Sequence, residues 1–181
     1  MKKDIKTLRQ YATLKKLPSV IKLGIIDQKI NEQLLDLCMA SNTTTERSIQ
    51  NRKGIYGVEH NDSSPAGKTY NQKHIDKWAI DIDCLSIFQN KSDWRFAELE
   101  PNAVIPMHLD DPYTYRFLAV LQGSHTFKDL NKEQVMSASE VYFINPAYKH
   151  SVENTGKERR IALLGKIEIN EHNTELLRAR A

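Results

Sequence analysis

PNAVIPMHLDDPYTYRF, at residues 101–117, places His108 and Asp110 two positions apart in a chain of 181 residues. On a β-strand, side chains two positions apart project from the same face, so both can enter one cavity. An imidazole nitrogen and a carboxylate oxygen are a suitable pair of ligands for a divalent transition metal. Asp111 is the neighbouring alternative, but the two-residue period of a strand favours Asp110 as the residue on the face of His108.

A second histidine, His150, lies in the segment PAYKHSVEN, 40 residues after Asp110. Two histidines and one carboxylate on one face of a metal ion are typical of non-haem Fe(II) oxygenases, which keep positions open for substrate and O2. We therefore predict that His108, Asp110 and His150 are metal ligands and form the catalytic centre.

Arg160 follows His150 by ten residues, and we expect the intervening segment to form a hairpin with its turn at residues 154–156. Such a hairpin would place His150 and Arg160 directly opposite each other, with Cβ atoms about 5 Å apart. A guanidinium there could hold the far carboxylate of a metal-chelating diacid through two parallel hydrogen bonds. Arg159 would face the other way, and a one-residue shift of the turn would exchange the two roles.

Short β-rich runs follow one another from residue 93 onward, with turn residues between them. Spacings of about 8–12 residues are typical of a sandwich or barrel, so we expect a mainly β protein. The runs are DWRFAEL, AVIPMHL, YRFLAVLQ, HTFKD, EQVMS, EVYFIN, YKHSVEN and RRIALLGKIEI.

The N-terminal half of the chain has a different residue pattern. Residues 26–40 have the apolar spacing of an amphipathic helix, and Asp27 is a plausible N-cap. Residues 41–74 are polar and contain several glycines and prolines, so we expect a long loop that could act as a lid or contact substrate. A helix or irregular segment is expected at 71–79 and a strand near 82–89.

The length is that of one domain, residues 1–181. We divide it into a basic N-terminal arm (1–22), a helical and loop region (23–92), a β core (93–168) and a C-terminal tail (169–181), and we expect a short helix at the end of the tail. The arm carries seven Lys or Arg residues and one Asp, which fits either contact with an anionic partner or a solvated terminus.

The composition excludes several classes of protein. Forty per cent of the residues are hydrophobic and 27% are charged, as in ordinary globular domains. No run approaches about 18 apolar residues, and the N-terminus does not resemble a secretory signal, so we expect no membrane association. Cys38 and Cys84 lack metal-binding spacing and are expected to be reduced thiols of a cytoplasmic protein. No basic helix or RNA-binding signature predicts a nucleic-acid partner.

The order H-x-D, then His, then Arg ten residues later resembles the Fe(II)/2-oxoglutarate-dependent dioxygenases, whose core is a double-stranded β-helix of the jelly-roll or cupin-like type. Within them, residues 140–164 are similar to the aspartyl/asparaginyl β-hydroxylase-like branch, which also contains free-proline hydroxylases. LEPNAVIPMHLD resembles the lead-in of that branch, with Asn102 where the branch tends to have glycine. The remaining matches are Glu140, His150, Val152, Asn154 and Arg160, with Ser139 in place of a glycine.

The resemblance covers about residues 93–168 and implies both fold and chemistry. It implies a double-stranded β-helix core with N-terminal helices packed on it. It also implies that Fe(II), 2-oxoglutarate and O2 are the cofactors, that Arg160 binds the 5-carboxylate of 2-oxoglutarate, and that the products include succinate and CO2. The substrate would be an amino acid or a peptidyl side chain.

Arg116, in YRFLAVLQ, is similar to an arginine that holds a substrate carboxylate in this branch, which makes it the candidate substrate-binding residue. The sequence leaves open whether Arg116 faces the cavity or solvent, because Asp111 and Pro112 interrupt the strand pattern. The family often has a histidine two residues later that helps to bind 2-oxoglutarate, and here that position is Leu118.

Two other functions compete with the hydroxylase. Pro146, His150 and Asn154 also resemble the second cupin motif, which would fit a metal-binding cupin that uses no 2-oxoglutarate. A non-catalytic binding module is the third possibility. The other histidines are assigned no role, and His125 is expected to face solvent. Trp78 and Trp94 are expected in the core, and for EVYFIN the sequence does not decide which alternate side chains face inward.

Overall fold

The chain is described here from a computed structural model, over residues 14–41, 45–48, 69–75, 81–110 and 114–181. Strands dominate the second half of these ranges, and helices flank them on both sides. The strands are β1 (Val20–Ile25), β2 (Thr45–Ser48), β3 (Thr69–His74), β4 (Lys91–Leu99), β5 (Val104–His108), β6 (Thr114–Gln122), β7 (Ser124–Asp129), β8 (Glu133–Ser137), β9 (Glu140–Ile144), β10 (His150–Glu153) and β11 (Arg160–Glu168). The helices are α1 (Gln28–Ala40), α2 (Asp83–Ser86) and α3 (Glu171–Arg178).

The strands form two antiparallel sheets. The larger sheet has the order β1-β9-β6-β11-β4-β3-β2, and the smaller sheet has the order β5-β10-β7-β8. From β4 to β11 the chain passes repeatedly from one sheet to the other, which is the winding of a double-stranded β-helix. Every one of the eight β-rich runs from residue 93 onward lies on one of these strands, so the mainly β prediction is confirmed.

The expected hairpin between His150 and Arg160 is wrong. β10 pairs with β5 and β7 in the smaller sheet, whereas β11 pairs with β4 and β6 in the larger sheet. The segment between them crosses from one sheet to the other. Asn154 shapes this crossing, because its side-chain amide donates to the Leu99 carbonyl (2.8 Å) and to the Glu158 carbonyl (2.9 Å).

The larger sheet is buried on both faces, which explains its near-continuous apolar runs. On β6, Leu118 and Val120 join a cluster that fills the space between the two sheets. Phe117 and Leu121 join a second cluster on the outer face, beneath the helices. On β9, Tyr142 and Ile144 belong to the inner cluster, and Val141 and Phe143 to the outer cluster, which resolves the alternation that the sequence left open.

Helix α1 covers the outer face of the larger sheet, as its apolar stripe predicts. The Asp27 carboxylate accepts hydrogen bonds from the backbone N–H groups of Lys29 (2.9 Å) and Ile30 (3.4 Å), so it is the N-cap. Leu34 and Cys38 are fully buried. The segment before α1 is also packed: Leu14 and Leu17 are buried, and β1 pairs with β9 across the boundary drawn at residue 22.

Two expectations for the N-terminal half need correction. Strands β2 and β3 pair with each other and extend the larger sheet beside β4, within the stretch expected to be a loop at 41–74. The strand expected near 82–89 is instead the short helix α2 and the turn after it. Ile82, Leu85 and Phe88 are buried at a spacing of three, which suits a helical turn rather than a strand. The remainder of 41–74, and 76–80 with Trp78, lie outside the described residues.

Both cysteines are free thiols in the structure. Burial is the main influence on the Cys38 thiol and raises its pKa to about 12. Within the described ranges, no helix is long and apolar enough to cross a membrane.

Candidate metal centre

His108, Asp110 and His150 come together at one end of the barrel. The Nε2 atom of His108 lies 3.8 Å from Asp110 Oδ1, and the Nε2 atom of His150 lies 3.8 Å from Asp110 Oδ2. One ligand atom from each residue lies within 4.8 Å of the other two. These separations leave room between the three side chains for a metal ion at about 2.0–2.2 Å from nitrogen and oxygen ligands.

Strand pairing explains why the two histidines meet. His108 is the last residue of β5, His150 is the first residue of β10, and the two are cross-strand partners. Their rings lie 4.4 Å apart, centroid to centroid. The His150 ring also stacks on Phe127 at 5.0 Å, and only 4% of His150 is exposed. Packing therefore holds His150 in place before any ion binds.

Backbone carbonyls orient both imidazoles. The Nδ1 atom of His108 lies 2.7 Å from the Pro106 carbonyl oxygen, and the Nδ1 atom of His150 lies 3.1 Å from the Tyr148 carbonyl oxygen. A carbonyl only accepts, so Nδ1 carries the proton in each ring and Nε2 presents its lone pair toward Asp110. In metal-binding histidines, the ring nitrogen that does not bind the metal usually donates a hydrogen bond in this way.

The charge states of the three residues also suit a metal ion. Burial lowers the pKa of His108, and the neighbouring His150 lowers it further, which favours the neutral imidazole that a metal requires. Burial raises the pKa of Asp110, but Arg116 and the two imidazoles together outweigh burial. The pKa of this carboxyl therefore lies below its ordinary value, and Asp110 is ionised. Two imidazole nitrogens and one carboxylate thus fit a divalent transition metal.

Arg116 lies beside this group. Its Nε atom is 2.9 Å from Asp110 Oδ2, and 15% of its side chain is exposed. The structure thereby resolves the direction of Arg116: the side chain points to the metal-ligand candidates and not to bulk solvent. Leu118, two residues later, belongs to the cluster inside the barrel, so an apolar side chain occupies the position where the similar family often has histidine.

Arg160 is buried inside the same barrel, with 2% of the residue exposed. It lies opposite Leu99 on β4, and its Nη1 atom donates to the Ala97 carbonyl oxygen at 3.1 Å. Arg159 points outward: 45% of its side chain is exposed, and its Nε atom lies 2.7 Å from Glu100 Oε1. Arg160 rather than Arg159 therefore enters the barrel, although the reason is not the hairpin that the spacing suggested.

The expectation that His125 faces solvent is wrong. His125 is fully buried, on the same face of β7 as Phe127 of the inner cluster. His125 alternates with Phe127 in the run HTFKD, and this is the signal that sequence reasoning passed over, since alternation alone cannot say which face of a strand is covered.

A second group that sequence reasoning missed lies at the ends of β4 and β11. Asp93 Oδ2 accepts from Arg95 Nη1 at 2.8 Å and lies 2.9 Å from Lys166 Nζ. Lys166 is the cross-strand partner of Arg116 on β6, and Arg95 helps to lower the pKa of Asp110, so this second group adjoins the metal-ligand candidates. These residues lie on three different strands, so no pattern along the sequence indicates that they come together.

Asn102 and Ser139 stand where the similar branch tends to have glycine, and both have an unusual backbone conformation. Asn102 has φ of 58° and Ser139 has φ of 69°, in the left-handed region that favours glycine. Both residues lie in turns that join strands, at β4–β5 and β8–β9.

Other aromatic and histidine residues lie in the core, away from the metal-ligand candidates, or outside the described residues. Trp94 packs on Phe117 with ring centroids 4.8 Å apart, in the core as expected. The Nε2 atom of His172 lies 3.1 Å from the Ile87 carbonyl oxygen, away from the metal-ligand candidates. His60, Asp111 and Tyr113 lie outside the described residues.

Comparison with known proteins supports the fold. Residues 95–164 match the family model of the Cupin domain, which is well under half of the chain. The barrel has the cupin fold. No curated protein matches the sequence.

Several solved structures resemble the chain. An oxidoreductase of the 2OG-Fe(II) oxygenase family from Burkholderia pseudomallei is 13% identical, with a TM-score of 0.54 and coverage of 93% of each chain. A prolyl-4-hydroxylase from Pseudomonas putida is 11% identical, with a TM-score of 0.56 and coverage of 91% of this chain and 99% of its own. At these identities the likeness concerns the fold.

Proposed function

We propose that this protein is an Fe(II)- and 2-oxoglutarate-dependent dioxygenase that hydroxylates an amino acid or a peptidyl side chain. The observation that carries the proposal is the joint placement of His108, Asp110 and His150 at one end of a barrel that also buries Arg160. A buried guanidinium inside an otherwise largely apolar barrel favours a ligand with a carboxylate, which suits 2-oxoglutarate.

Each residue has a distinct role in this proposal. His108, Asp110 and His150 would hold the iron through two Nε2 atoms and a carboxylate oxygen. Iron bound there would supply the chemistry, since together with 2-oxoglutarate and O2 it can hydroxylate an unactivated C–H bond while the 2-oxo acid is cleaved to succinate and CO2. Arg160 would bind the 5-carboxylate. Leu118 and the other apolar side chains of the inner cluster exclude water from the barrel.

The charges near the metal-ligand candidates favour an anionic substrate. Among the described residues, Arg95 and Lys166 pair with Asp93 and Arg116 pairs with Asp110, so three cations accompany two carboxylates. With Asp110 bound to a metal, Arg116 becomes available to a substrate carboxylate, which it can meet with two parallel hydrogen bonds. A free amino acid or an acidic side chain has this carboxylate.

The test is anaerobic titration of the Fe(II)-loaded protein with 2-oxoglutarate, followed through the weak visible charge-transfer band of the chelate. The band should be absent in His108→Ala, which lacks a ligand, and should need several-fold more 2-oxoglutarate in Arg160→Ala. Arg159→Ala is the matched control, because this neighbouring arginine points outward and should titrate like the wild type. A screen of free amino acids, acidic ones first, would then follow.

A metal-binding cupin without 2-oxoglutarate is the second candidate. Leu118 favours it, because an apolar side chain stands where a family histidine often helps to bind 2-oxoglutarate. In that case the protein would bind one divalent ion but give no charge-transfer band. A protein that binds neither a divalent ion nor 2-oxoglutarate would be a non-catalytic binding module.

We also propose that the protein acts in the cytoplasm, which its two free thiols favour. Its partner would be a small-molecule or peptidyl substrate rather than a nucleic acid.

A further inference from the structure

His125 is an uncommon residue for the inside of this barrel. It is 0% exposed, and neither ring nitrogen has a hydrogen-bond partner among the described residues. Its cross-strand partner on β8 is Met136, and Phe127 follows it on the same face of β7. Two apolar side chains therefore flank this polar ring.

Such a ring carries a cost unless a ligand satisfies it. A buried donor or acceptor without a partner destabilises a protein by about 1–3 kcal/mol, and nearly all buried polar side chains in native proteins are hydrogen-bonded. His125 has an unsatisfied donor and an unsatisfied acceptor. A ligand that enters the barrel with its own acceptor would satisfy the donor.

The fold brings Arg160 to the same part of the barrel. Gly123, between β6 and β7, has φ of 70°, and a Cβ atom there would lie 3.3 Å from Arg160 Cα. This close approach packs the start of β7, two residues before His125, onto the start of β11. The metal-ligand candidates lie near the opposite end of β7, since His150 pairs with Asp129, the last residue of that strand.

The charge state of His125 is consistent with a donor. Burial lowers its pKa well below the ordinary value, and the charge of Arg160 lowers it further. The ring is therefore neutral, with one N–H group to donate. A carboxylate has about four lone-pair sites, so it can accept from a guanidinium and an imidazole together.

We propose that His125 is a second anchor for the distal carboxylate of 2-oxoglutarate, beside Arg160. The inference rests on the proposed function and adds a specificity-determining residue to it. Two donors in the same part of the barrel would select a 2-oxo acid that ends in a carboxylate. A 2-oxo acid of the same length that ends in a methyl group would leave the N–H group of His125 without an acceptor, which is the condition under which binding sites discriminate strongly.

The test compares 2-oxoglutarate with 2-oxopentanoate, which has the same chain length but no distal carboxylate. Both are titrated anaerobically into Fe(II)-loaded wild type, His125→Phe and His125→Gln. His125→Phe should weaken 2-oxoglutarate binding about tenfold, which corresponds to about 1.4 kcal/mol, and should change 2-oxopentanoate binding by less than about twofold. His125→Gln, which restores an N–H donor, should recover part of the loss.

Met136→Leu is the matched control, because it perturbs packing at the same part of the barrel without removing a donor. It should leave the ratio of the two affinities unchanged. Equal losses for both ligands in His125→Phe, or no loss, would overturn the anchor and leave the proposed function in place. A wild type that binds metal but neither ligand would overturn the proposed function and the anchor with it.

A measurement on the wild-type protein avoids dependence on the folding of a variant. Histidine labelled with ¹⁵N in the ring is followed by NMR in the zinc-loaded protein. Addition of 2-oxoglutarate should shift the signal of the donor nitrogen of His125, and addition of 2-oxopentanoate should not. An unchanged His125 signal at saturating 2-oxoglutarate would contradict the anchor.

Discussion

The Nε atom of Arg116 lies 2.9 Å from Oδ2 of Asp110, although the two residues belong to strand β6 and to the segment after β5. About a fifth of the Asp110 side chain is exposed, so the pair borders the open end of the barrel. This contact can serve the metal centre in two ways. It keeps the carboxylate ionised, and it holds a guanidinium where a substrate anion would arrive.

We expect Arg116→Met to separate these two roles. If Arg116 binds the substrate, the variant should retain slow release of succinate from 2-oxoglutarate without substrate, and should lose most of the stimulation that substrate gives. The physical reason is that binding energy from a remote carboxylate positions the reacting C–H bond. Succinate release with and without substrate is the measurement. Loss of the substrate-free reaction as well would mean that Arg116 acts mainly by orienting Asp110.

Loss of either histidine should abolish metal binding. We expect His150→Ala to reduce affinity for Mn²⁺ or Fe²⁺ by more than the roughly 10–100-fold that follows loss of an outer-shell partner. Binding of the ion should raise the midpoint of thermal unfolding of the wild type, because only the folded state contains the site. His172→Ala is the control, since His172 contacts the backbone carbonyl of Ile87, just after α2, and its loss should not affect binding of the ion. Retained stoichiometric binding in His150→Ala would remove His150 from the centre.

Burial of His125 should make stability depend on pH. The pKa of His125 lies well below its ordinary value in the folded state, so the unfolded state binds more protons between those two values. The contribution of His125 is therefore present above about pH 6.5 and is lost as the pH falls, at up to about 1.4 kcal/mol per pH unit. Urea unfolding of the metal-free protein at pH 7.5, 6.5 and 5.5 measures this slope.

The variant His125→Gln isolates this contribution from that of the other histidines. Its free energy of unfolding should fall less steeply with decreasing pH than that of the wild type, whatever its absolute stability. The surface variant His172→Gln should keep the wild-type slope. Parallel curves for the wild type and His125→Gln would mean that His125 binds a proton as readily in the folded protein as in the unfolded chain.

Replacement of Ser139 by glycine should stabilise the fold. Ser139 has φ of 69°, where a residue with a Cβ atom pays roughly 1–2 kcal/mol, while glycine costs about 0.5–1 kcal/mol in backbone entropy. We expect Ser139→Gly to raise the free energy of unfolding by about 0.5–1 kcal/mol in a urea titration. Asn102→Gly should gain less, because asparagine tolerates this conformation.

The matched control for Ser139→Gly is Ser137→Gly. Ser137 belongs to strand β8, where glycine loses entropy without relieving strain, so this variant should be less stable than the wild type. Destabilisation by both substitutions would show that the turn at Ser139 is not strained.

Much of the barrel could be predicted because strand formation has a local signature. The eight β-rich runs and helix α1 with its Asp27 cap are encoded in apolar spacing and in turn residues near them in the chain. The loop expected over 41–74 contains strands β2 and β3, and the strand expected near 82–89 is a helical turn, for a related reason. Polar strands such as β2 and β3 depend on a neighbouring strand, and the spacing of three between Ile82, Leu85 and Phe88 is that of a helical turn rather than of a strand.

The sequence by itself determined which residue types could hold a metal ion and in what order: His108, Asp110, His150 and then Arg160. Tertiary structure alone decided how they meet. His150 and Arg160 lie on different sheets, Arg116 turns toward Asp110, and His125 is buried in the barrel, because the face of a strand that is covered depends on which other strands pack against it. Sequence spacing records alternation along one strand, whereas the pairing of strands distant in the chain arises from packing of the whole molecule.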